Sequence, residues 1–367
     1  MTDGFRRSWE RLTEGMRLQD IWAEFRMDAR DGYAFYSRDL DDADLEARSR
    51  WRRPLTAARI LAWAMLRKLS PARRLLLIAA AAFALMAILD VRLQGLPQEL
   101  EFLIAFLLVV GLLALELADR VAMKRDLELA REIQRWLLPP EPPVLPGVDV
   151  AFATRPANTV GGDFYDGLVR NDAGAGPQLL VAVADVAGKS VPAALLMAHF
   201  GASFRALVAG RADLVGLVRA LNVATCARSN GGRRFVTAFL AGYDPRARRL
   251  TYVGAGHNPP LLRRTSGELE VLAEGGIPLG MMPDAEYPAA VVTLAPGDLL
   301  VVYTDGVVDA IDGEGIAYGD ERLRASVRGI GRGGAADAVE ALTRDVQDFT
   351  GPARQLDDIT WLVLRAN

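Results

Sequence analysis

Four short acidic motifs are the part of the sequence best suited to chemistry. Three of them begin or end an apolar stretch that is predicted to form a strand, the other is a Gly-Gly turn followed by two carboxylates, and all four are widely separated along the chain. The motifs are GGDFYD at 161–166, DVAGKS at 185–190, YTDG at 303–306 and DDIT at 357–360. Carboxylates at the ends of strands can converge on one edge of a sheet, and we expect these side chains to lie close together.

Clustered carboxylates repel one another unless cations lie between them. Two divalent ions ~3.5–4 Å apart are a common solution, and such a pair activates a water for attack on a phosphoryl group. The nearby glycines let the backbone approach the ions, so the carbonyl of Val186 could be a further ligand. Each motif is weak when taken singly, because an Asp-Gly pair after a strand is most often a turn. Their occurrence in series is what favours a metal centre.

Composition limits the kind of metal and the kind of partner. The chain of 367 residues has two histidines and one cysteine, Cys226, which excludes a disulfide framework and a histidine-rich or multi-cysteine site. With 46 Asp and Glu residues available, a bound metal should be a hard ion held by oxygen. The net charge of -3 disfavours a nucleic-acid partner.

The elements that must position these motifs lie after residue 148. Seven apolar strands are predicted, at 148–154, 179–184, 236–243, 250–253, 290–294, 299–303 and 359–364. Helices are predicted in two pairs, at 193–209 with 214–227 and at 319–329 with 335–349. Blocks of strands separated by paired helices indicate an antiparallel α+β layer structure rather than a doubly wound parallel sheet.

Two apolar runs in the first half, 75–89 and 102–115, predict a transmembrane helical hairpin over 73–117. Basic residues cluster outside both runs and are scarce in the connector, so both ends are expected in the cytoplasm with a short external loop. The basic residues are Arg67, Lys68, Arg73 and Arg74 before the first run and Arg120, Lys124 and Arg125 after the second. A buried hairpin in a soluble domain is the alternative.

The segments on either side of the hairpin are harder to interpret. Residues 1–72 are predicted to be a cytoplasmic helical segment, either with an interfacial helix at 58–69 or as a small regulatory domain. Residues 118–140 are predicted to form a linker helix that ends at a run of prolines, and 141–367 follow as a separate domain. Apolar and small residues of the linker at spacings of four and three fit either a coiled coil between two chains or an amphipathic linker. They are Met123, Leu127, Ala130, Gln134 and Leu137.

Over about residues 128–365 the chain resembles the PPM-type metal-dependent Ser/Thr phosphatases, specifically their bacterial SpoIIE-like branch. The resemblance rests on long motifs in the family's order: EIQ and LLP at 132–139, GGDFYD, DVAGKSVPAALLMA at 185–198, FVTAFL at 235–240, AGHNPP at 255–260, PLG at 278–280, PGDLLVVYTDGVVDA at 296–310 and DDIT. It implies an αββα sandwich of two antiparallel sheets flanked by helices, with two Mn²⁺ or Mg²⁺ ions. It also implies hydrolysis of phosphoserine or phosphothreonine on a partner protein, such as an anti-sigma-factor antagonist. With the hairpin, this predicts a multi-pass protein of the bacterial inner membrane whose phosphatase domain is cytoplasmic.

The resemblance also implies residue roles. Asp163 and Asp185 correspond to carboxylates shared by the two metals, and Asp305 and Asp357 complete the site as catalytic metal ligands. The Val186 carbonyl is a further ligand. Asp358 and Asp166 are outer-shell or alternative ligands.

Three further side chains are weighed beside the acidic motifs. Arg155 and Lys189 are candidates to bind the substrate's phosphate, because a cation there would stabilise the transferring group. His257 either donates a proton to the leaving group or stabilises its turn.

The sequence departs from the family pattern at three places. Ala187 and Ser190 replace the usual Ser and Gly of the 185–190 loop, and Asp309 stands where Glu is common. No predicted ligand is lost, and so activity is expected. Two other functions fit parts of the sequence: a non-catalytic membrane sensor or scaffold built on a degenerate phosphatase domain, and a diguanylate cyclase, which the missing acidic residue after GGD disfavours.

Overall fold

The computed structural model describes residues 69–89, 97–172, 176–210, 213–229 and 231–367. The chain divides into two compact units, Met1–Val121 and Ala122–Asn367. The predictions for residues 1–68 and for the connector at 90–96 lie outside the described residues.

The first unit contains an antiparallel pair of helices. Helix α1 spans Pro71–Ile88, begins with a proline in its first turn and is capped by Ser70, whose side chain accepts from the Arg73 amide. Helix α2 begins at Gln98. The Arg73 guanidinium is 3.2 Å from Glu116 and 2.6 Å from Asp119 of α2, which ties the start of α1 to the far end of the apolar run.

Helix α2 runs without a break over Gln98–Leu137, a length of 40 residues. The predicted division at 118 between a transmembrane helix and a linker helix is therefore not a break in the helix. The physical reason is that Gly111 is the only helix-disfavouring glycine or proline in this span. The helix ends at Leu137 because Pro139 and Pro140 follow it, as predicted.

Three described helices are long and apolar enough to cross a membrane, Pro71–Ile88, Glu99–Leu137 and Ser190–Val208. The third is a core helix of the second unit, where Met197, Phe200 and Phe204 are buried. The first two instead expose large apolar side chains: Leu75 is 68% exposed and Phe106 is 64% exposed. Exposed apolar faces of this size are typical of a membrane or protein-binding surface.

The second unit is an αββα sandwich, as the resemblance implies. Its strands are β1 Val148–Arg155, β2 Phe164–Asp172, β3 Gly176–Val186, β4 Val236–Asp244, β5 Arg249–Ala255, β6 Leu261–Arg263, β7 Leu269–Val271, β8 Gly275–Gly276, β9 Ala290–Thr293, β10 Leu299–Tyr303 and β11 Ile359–Ala366. Sheet I has the order β1-β11-β10-β6-β7, and sheet II has the order β2-β3-β4-β5-β8, with β9 also paired to β5. All described strand pairs are antiparallel except β5 with β8.

Helices cover the outer face of each sheet. They are α3 Ser190–Val208, α4 Leu214–Cys226, α5 Asp305–Val308, α6 Gly319–Gly329 and α7 Ala335–Thr350. Apolar side chains of α3 and α4 pack on sheet II, and those of α5, α6 and α7 pack on sheet I. A third core fills the space between the sheets, where Val181, Phe239 and Leu362 are buried. These layers hold the ends of β1, β2, β3, β10 and β11 in fixed positions.

Asp166, predicted as an outer-shell or alternative metal ligand, pairs with Arg205 in the structure. Its side chain is fully buried, and both of its oxygens accept from Arg205 of α3, at 2.7 and 3.0 Å. The Gly167 amide donates to the same carboxylate at 2.8 Å. Such a bidentate pair fixes α3 on sheet II and leaves little capacity for a cation.

Candidate metal centre

The Gly161-Gly162 turn places Asp163 at the start of β2. A Cβ atom at Gly161 would lie 2.5 Å from Asp358 Oδ2, and one at Gly162 would lie 3.2 Å from the Val186 carbonyl oxygen. A side chain at Gly161 would collide with Asp358 and one at Gly162 would crowd the end of β3, so the pair of glycines lets this turn pack directly against the two neighbouring motifs.

Asp358 holds this turn in place. Its Oδ2 accepts from the Gly162 amide at 2.6 Å, and its Oδ1 accepts from the Ala157 amide at 2.7 Å. Both oxygens are therefore engaged by backbone donors, and the carboxylate is almost fully buried. This geometry favours a positioning role for Asp358 over direct binding of a cation.

Two buried threonines fix Asp163, and reading the motifs for carboxylates alone missed them. Thr304 Oγ1 donates to Asp163 Oδ2 at 2.9 Å and accepts from the Thr360 amide at 3.0 Å. The Thr360 hydroxyl also lies against Asp163 and is 2.8 Å from the hydroxyl of Thr154. Their positions in the motifs could have identified them, because Thr304 lies directly before Asp305 and Thr360 lies two residues after Asp358.

Asp185 is the next-to-last residue of β3, and its carboxyl group lies close enough to that of Asp163 to share a hydrogen bond. Burial, followed by repulsion from Asp305, Asp357 and Asp358, raises the pKa of Asp185 to about 7. Burial and the nearby Asp185 raise the pKa of Asp163 well above its ordinary value. The pair therefore keeps a proton at a pH where exposed aspartates have lost theirs.

Asp305 and Asp357 complete the cluster from sheet I. Asp305 follows β10, and the adjacent Gly306 approaches β11 so closely that a Cβ there would lie 2.0 Å from the Asp358 carbonyl oxygen. Burial raises the pKa of Asp305, and the charges of Asp357 and Asp309 raise it further. The four aspartates predicted as metal ligands thus come together from four separate segments.

Of the two predicted phosphate-binding cations, Lys189 lies at the cluster. Its ammonium group is 3.0 Å from Asp357 Oδ2 and donates to the Leu356 carbonyl at 2.9 Å. Arg155 ends β1 and its side chain lines a different cavity on the outer face of sheet I, together with Trp361. This placement gives no support to contact between Arg155 and a phosphate at the cluster.

His257 lies between the two sheets near the cluster. Its Nδ1 is 3.1 Å from the hydroxyl of Thr237, the residue paired with Asp185 across β3 and β4. Burial lowers the pKa of His257 to about 4. The ring is therefore neutral near pH 7, which favours the structural role over proton donation as an imidazolium.

The donor set of the cluster fits hard divalent cations. In the described part of the chain, no three His, Cys, Asp or Glu side chains already stand in a chelating arrangement. Burial, and after it repulsion from neighbouring carboxylates, raises the pKa values of Asp163, Asp185 and Asp305, and a bound cation would offset both effects. Oxygen-only donors beside glycines that expose backbone carbonyls suit Mg²⁺ or Mn²⁺.

Gln134, at the end of α2, reaches the same turn. Its Nε2 donates to the Gly161 carbonyl at 2.7 Å, and its Oε1 accepts from the Gly161 amide at 3.1 Å. A cavity of about 110 Å³ beside it is lined by Arg131, Asp163 and Asp358. Gln134 belongs to the stripe that fits either a coiled coil or an amphipathic linker, and in the structure it is buried against the Gly161 turn.

The fold and this cluster define the class: a PP2C-type phosphatase domain. The sequence profile of the family described as Stage II sporulation protein E (SpoIIE) matches residues 175–367. The chain belongs to the SpoIIE family.

Relatives agree with this assignment. The chain is 26% identical over 282 residues to Protein IcfG of Synechocystis sp., covering 70% of this chain and 44% of IcfG. It is 26% identical over 224 residues to the Phosphoserine phosphatase RsbU of Bacillus subtilis, covering 59% of this chain and 65% of RsbU. Among solved structures, the SiaA-PP2C domain of Pseudomonas aeruginosa superposes with a TM-score of 0.60 at 27% identity, covering 68% of this chain and 99% of that domain. The chain spans about half to two thirds of the length of the two curated relatives.

The pKa of Asp185 predicts how pH affects the metal-free protein. Its folded value of about 7 exceeds the ordinary value of 3.8, so between these pH values the folded state holds a proton that the unfolded state has released. The free energy of unfolding should therefore fall as pH rises from 4 to 7, by at most ~4 kcal/mol.

This can be measured by urea unfolding of the second unit in EDTA at a series of pH values. Asp185→Asn should flatten the decrease, and Mn²⁺ should restore stability at pH 7.5 in the wild type but much less in that variant. A stability that rises over this window in EDTA would contradict the described electrostatics.

Proposed function

We propose that the protein is a membrane-anchored Ser/Thr phosphatase that hydrolyses phosphoserine or phosphothreonine on a partner protein with a metal-activated water. The observation that carries the proposal is the convergence of Asp163, Asp185, Asp305 and Asp357 from four segments onto one edge of the sandwich. These carboxylates and the Val186 carbonyl would hold two divalent cations, Mn²⁺ or Mg²⁺. Bound there, the ions would lower the pKa of a water and neutralise charge on the phosphoryl group.

The chain's own residues have distinct tasks in this proposal. Thr304 and Thr360 orient Asp163, and Asp358 holds the Gly161-Gly162 turn against β11. Lys189 supplies a cation at the exposed side of the cluster, where a phosphate would approach. Because Lys189 pairs with Asp357 before substrate binds, its ammonium group is already positioned there.

A protein substrate is supported by the surface beside the cluster. Val191, Leu195 and Leu356 are 39%, 67% and 47% exposed. Val191 and Leu195 follow Lys189 in the sequence, and Leu356 supplies the carbonyl that accepts a hydrogen bond from the Lys189 ammonium group. An exposed apolar surface next to a phosphate site suits a folded phosphoprotein better than a small metabolite. The relative RsbU is named a phosphoserine phosphatase, and an anti-sigma-factor antagonist is the kind of substrate that the family resemblance suggests. A non-catalytic scaffold would have no need to keep all four carboxylates together.

Anchoring in the bacterial inner membrane is supported by the hairpin of α1 and α2. Their apolar side chains point outward, and the ion pairs of Arg73 join the two ends that carry basic flanks. These features favour two spans with the phosphatase domain in the cytoplasm.

Pairing of two chains through α2 is proposed on a different face from the one that the sequence suggested. Gln134 is buried, whereas Leu129, Ile133 and Trp136 are 58%, 49% and 75% exposed at spacings of four and three. This second stripe is the better candidate for a coiled-coil seam. Because the same helix carries Gln134 to the Gly161 turn, it could pass the pairing state to the cluster.

The proposed activity is tested by metal-dependent hydrolysis of an aryl phosphate and of a phosphoserine protein. Asp185→Asn should abolish turnover, by at least ~100-fold, because it removes a shared carboxylate. Glu268→Gln, in an exposed turn, is the matched control and should retain wild-type turnover. Equal turnover in wild type and Asp185→Asn would refute the metal mechanism.

Gln134→Leu tests the contact between α2 and the Gly161 turn. Loss of both hydrogen bonds should loosen the turn that carries Asp163 and weaken Mn²⁺ binding ~10-fold or more, as removal of outer-shell partners does at other metal sites. Calorimetric titration with Mn²⁺ measures this directly, with exposed Glu128→Ala of the same helix as the control. Unchanged Mn²⁺ affinity and turnover in Gln134→Leu would contradict the coupling.

Membrane anchoring and pairing are tested together on the full chain. Alkaline carbonate should leave the protein in the membrane fraction, and light scattering in detergent should give the mass of two chains. Trp136→Glu should give the mass of one chain, while Glu128→Ala remains paired. Release by carbonate would refute the anchor, and an unchanged mass in Trp136→Glu would refute the seam.

A further inference from the structure

The segment that contains α3 and α4 and leads into β4 has a charge of the opposite sign from the whole chain. Between residues 189 and 234 the sequence has seven basic residues and one acidic residue, Asp213, whereas the whole chain has a net charge of -3. Over 214–234 there are four arginines and no aspartate or glutamate. Such a concentration of positive charge attracts partners of negative charge.

Three of these arginines lie in the loop that connects α4 to β4. They are Arg228, Arg233 and Arg234, which we call the basic loop, and all three are exposed. Among the described residues, none of their guanidinium groups forms an ion pair or a hydrogen bond. Their charges are therefore not neutralised within this part of the chain.

Backbone and hydroxyl hydrogen bonds hold the basic loop in a folded turn. The Arg234 amide donates to the Ser229 carbonyl at 3.0 Å, and the Gly232 amide donates to the Ser229 hydroxyl oxygen at 3.2 Å. That hydroxyl donates in turn to the Cys226 carbonyl at 3.0 Å, which ties the loop to the end of α4. Because the backbone of the loop is already ordered, less conformational entropy is lost when a partner binds.

The basic loop lies at the edge of sheet II where the carboxylate cluster is found. The Ala187 amide, two residues after Asp185, donates to the Phe235 carbonyl at 3.0 Å and so extends the pairing of β3 with β4. Paired strands lie ~5 Å apart. Arg234, directly before Phe235, therefore lies beside the loop that carries Lys189.

Exposed methionines adjoin the basic loop. A Cβ atom at Gly232 would lie 3.5 Å from the Met281 carbonyl oxygen, and Met281 and Met282 are 45% and 61% exposed. Asn222 of α4 fixes this segment, since its Nδ2 donates to the Met282 carbonyl at 2.8 Å and its Oδ1 accepts from the Gly280 amide at 2.9 Å. Methionine side chains adapt to varied contact surfaces, so guanidinium groups beside them suit a protein partner.

We propose that the basic loop binds acidic residues of the phosphoprotein substrate that flank its phosphoserine or phosphothreonine. This inference rests on the proposed function, because a phosphate at the cluster brings the flanking peptide across this edge of sheet II. An extended peptide spans ~3.3 Å per residue, so acidic residues a few positions from the phosphate can reach the loop. Arginine pairs with carboxylates through two parallel hydrogen bonds, and Lys189 is left to the phosphate.

An anionic bilayer is the other negatively charged partner of a membrane-anchored domain. The position of the basic loop beside the cluster favours the substrate, since a bilayer seated there would compete with the phosphoprotein for the same edge.

The test is the affinity of the full chain, in phosphatidylcholine nanodiscs with Mn²⁺, for two labelled peptides, measured by fluorescence anisotropy. Both peptides carry a phosphonate analogue of phosphoserine, which is not hydrolysed. One has Asp and Glu beside it, and the other has Asn and Gln in their place. We expect the acidic peptide to bind about three- to tenfold more tightly at low salt, with a smaller difference at high salt.

A variant that combines Arg233→Gln and Arg234→Gln should reduce this preference to less than about twofold. Arg246→Gln, at an exposed arginine beyond the other end of β4, is the matched control and should keep the preference. Circular dichroism confirms that the variants fold. Equal affinity of the wild type for the two peptides, or an unchanged preference in the double variant, would overturn the proposal.

Two further outcomes separate this proposal from its neighbours. A preference that disappears when phosphatidylglycerol is added to the discs would assign the arginines to lipid headgroups and would also overturn it. Metal-dependent turnover of an aryl phosphate is measured on the same preparation. Turnover without a peptide preference refutes only the basic loop, whereas a preference without turnover refutes the hydrolysis and keeps the loop as a binding surface.

Discussion

Repulsion among carboxylates at one edge of the sandwich is the constraint on which the rest of the structure depends. Asp163, Asp185, Asp305 and Asp357 come from both sheets, and burial together with repulsion from neighbouring carboxylates raises the pKa values of the first three. Such an arrangement opposes folding of the metal-free chain, so the surrounding layers must hold it. The three apolar cores supply that rigidity by fixing the strands from which the motifs extend.

Hydrogen-bond donors and close backbone contacts near the cluster add to the positioning that the packed cores provide. The hydroxyl of Thr304 and the amide of Gly162 stabilise buried carboxylates with hydrogen bonds, and Gly306 lets the Asp305 turn contact β11. Ser190, the first residue of α3, has a φ of 64°, a left-handed conformation that favours glycine. This explains why the family pattern usually has Gly at that position, and it indicates that the 185–190 loop is under backbone strain here.

Much of this architecture could be predicted from the sequence, because apolar periodicity and the motif order are strong signals. The strand at 299–303 and the helix at 319–329 have the predicted bounds, and helix α3 begins three residues before its prediction. Strand β2 was missed because its first residues were interpreted only as a turn and ligands, and the short β6 and β7 carry too few residues for alternation to be visible.

At the site, the aspartates could be predicted as a cluster, but their individual tasks could not. Asp358 and Asp166 resemble ligands in the sequence, yet backbone amides hold the first and Arg205 holds the second. Those partners are distant in the sequence: Asp358 and Gly162 are 196 residues apart. The contact between Gln134 and Gly161 could not be predicted either, because helical spacing identifies the face of a helix but not the surface that covers it.

The most direct measurement of the central claim is anomalous X-ray scattering from crystals of the phosphatase domain grown with Mn²⁺ near pH 7.5. We expect strong anomalous peaks beside Asp163 and Asp185, with Asp305 and Asp357 around them. Peaks elsewhere, or none at the cluster when the metal is saturating, would contradict the assignment of these carboxylates as the metal centre.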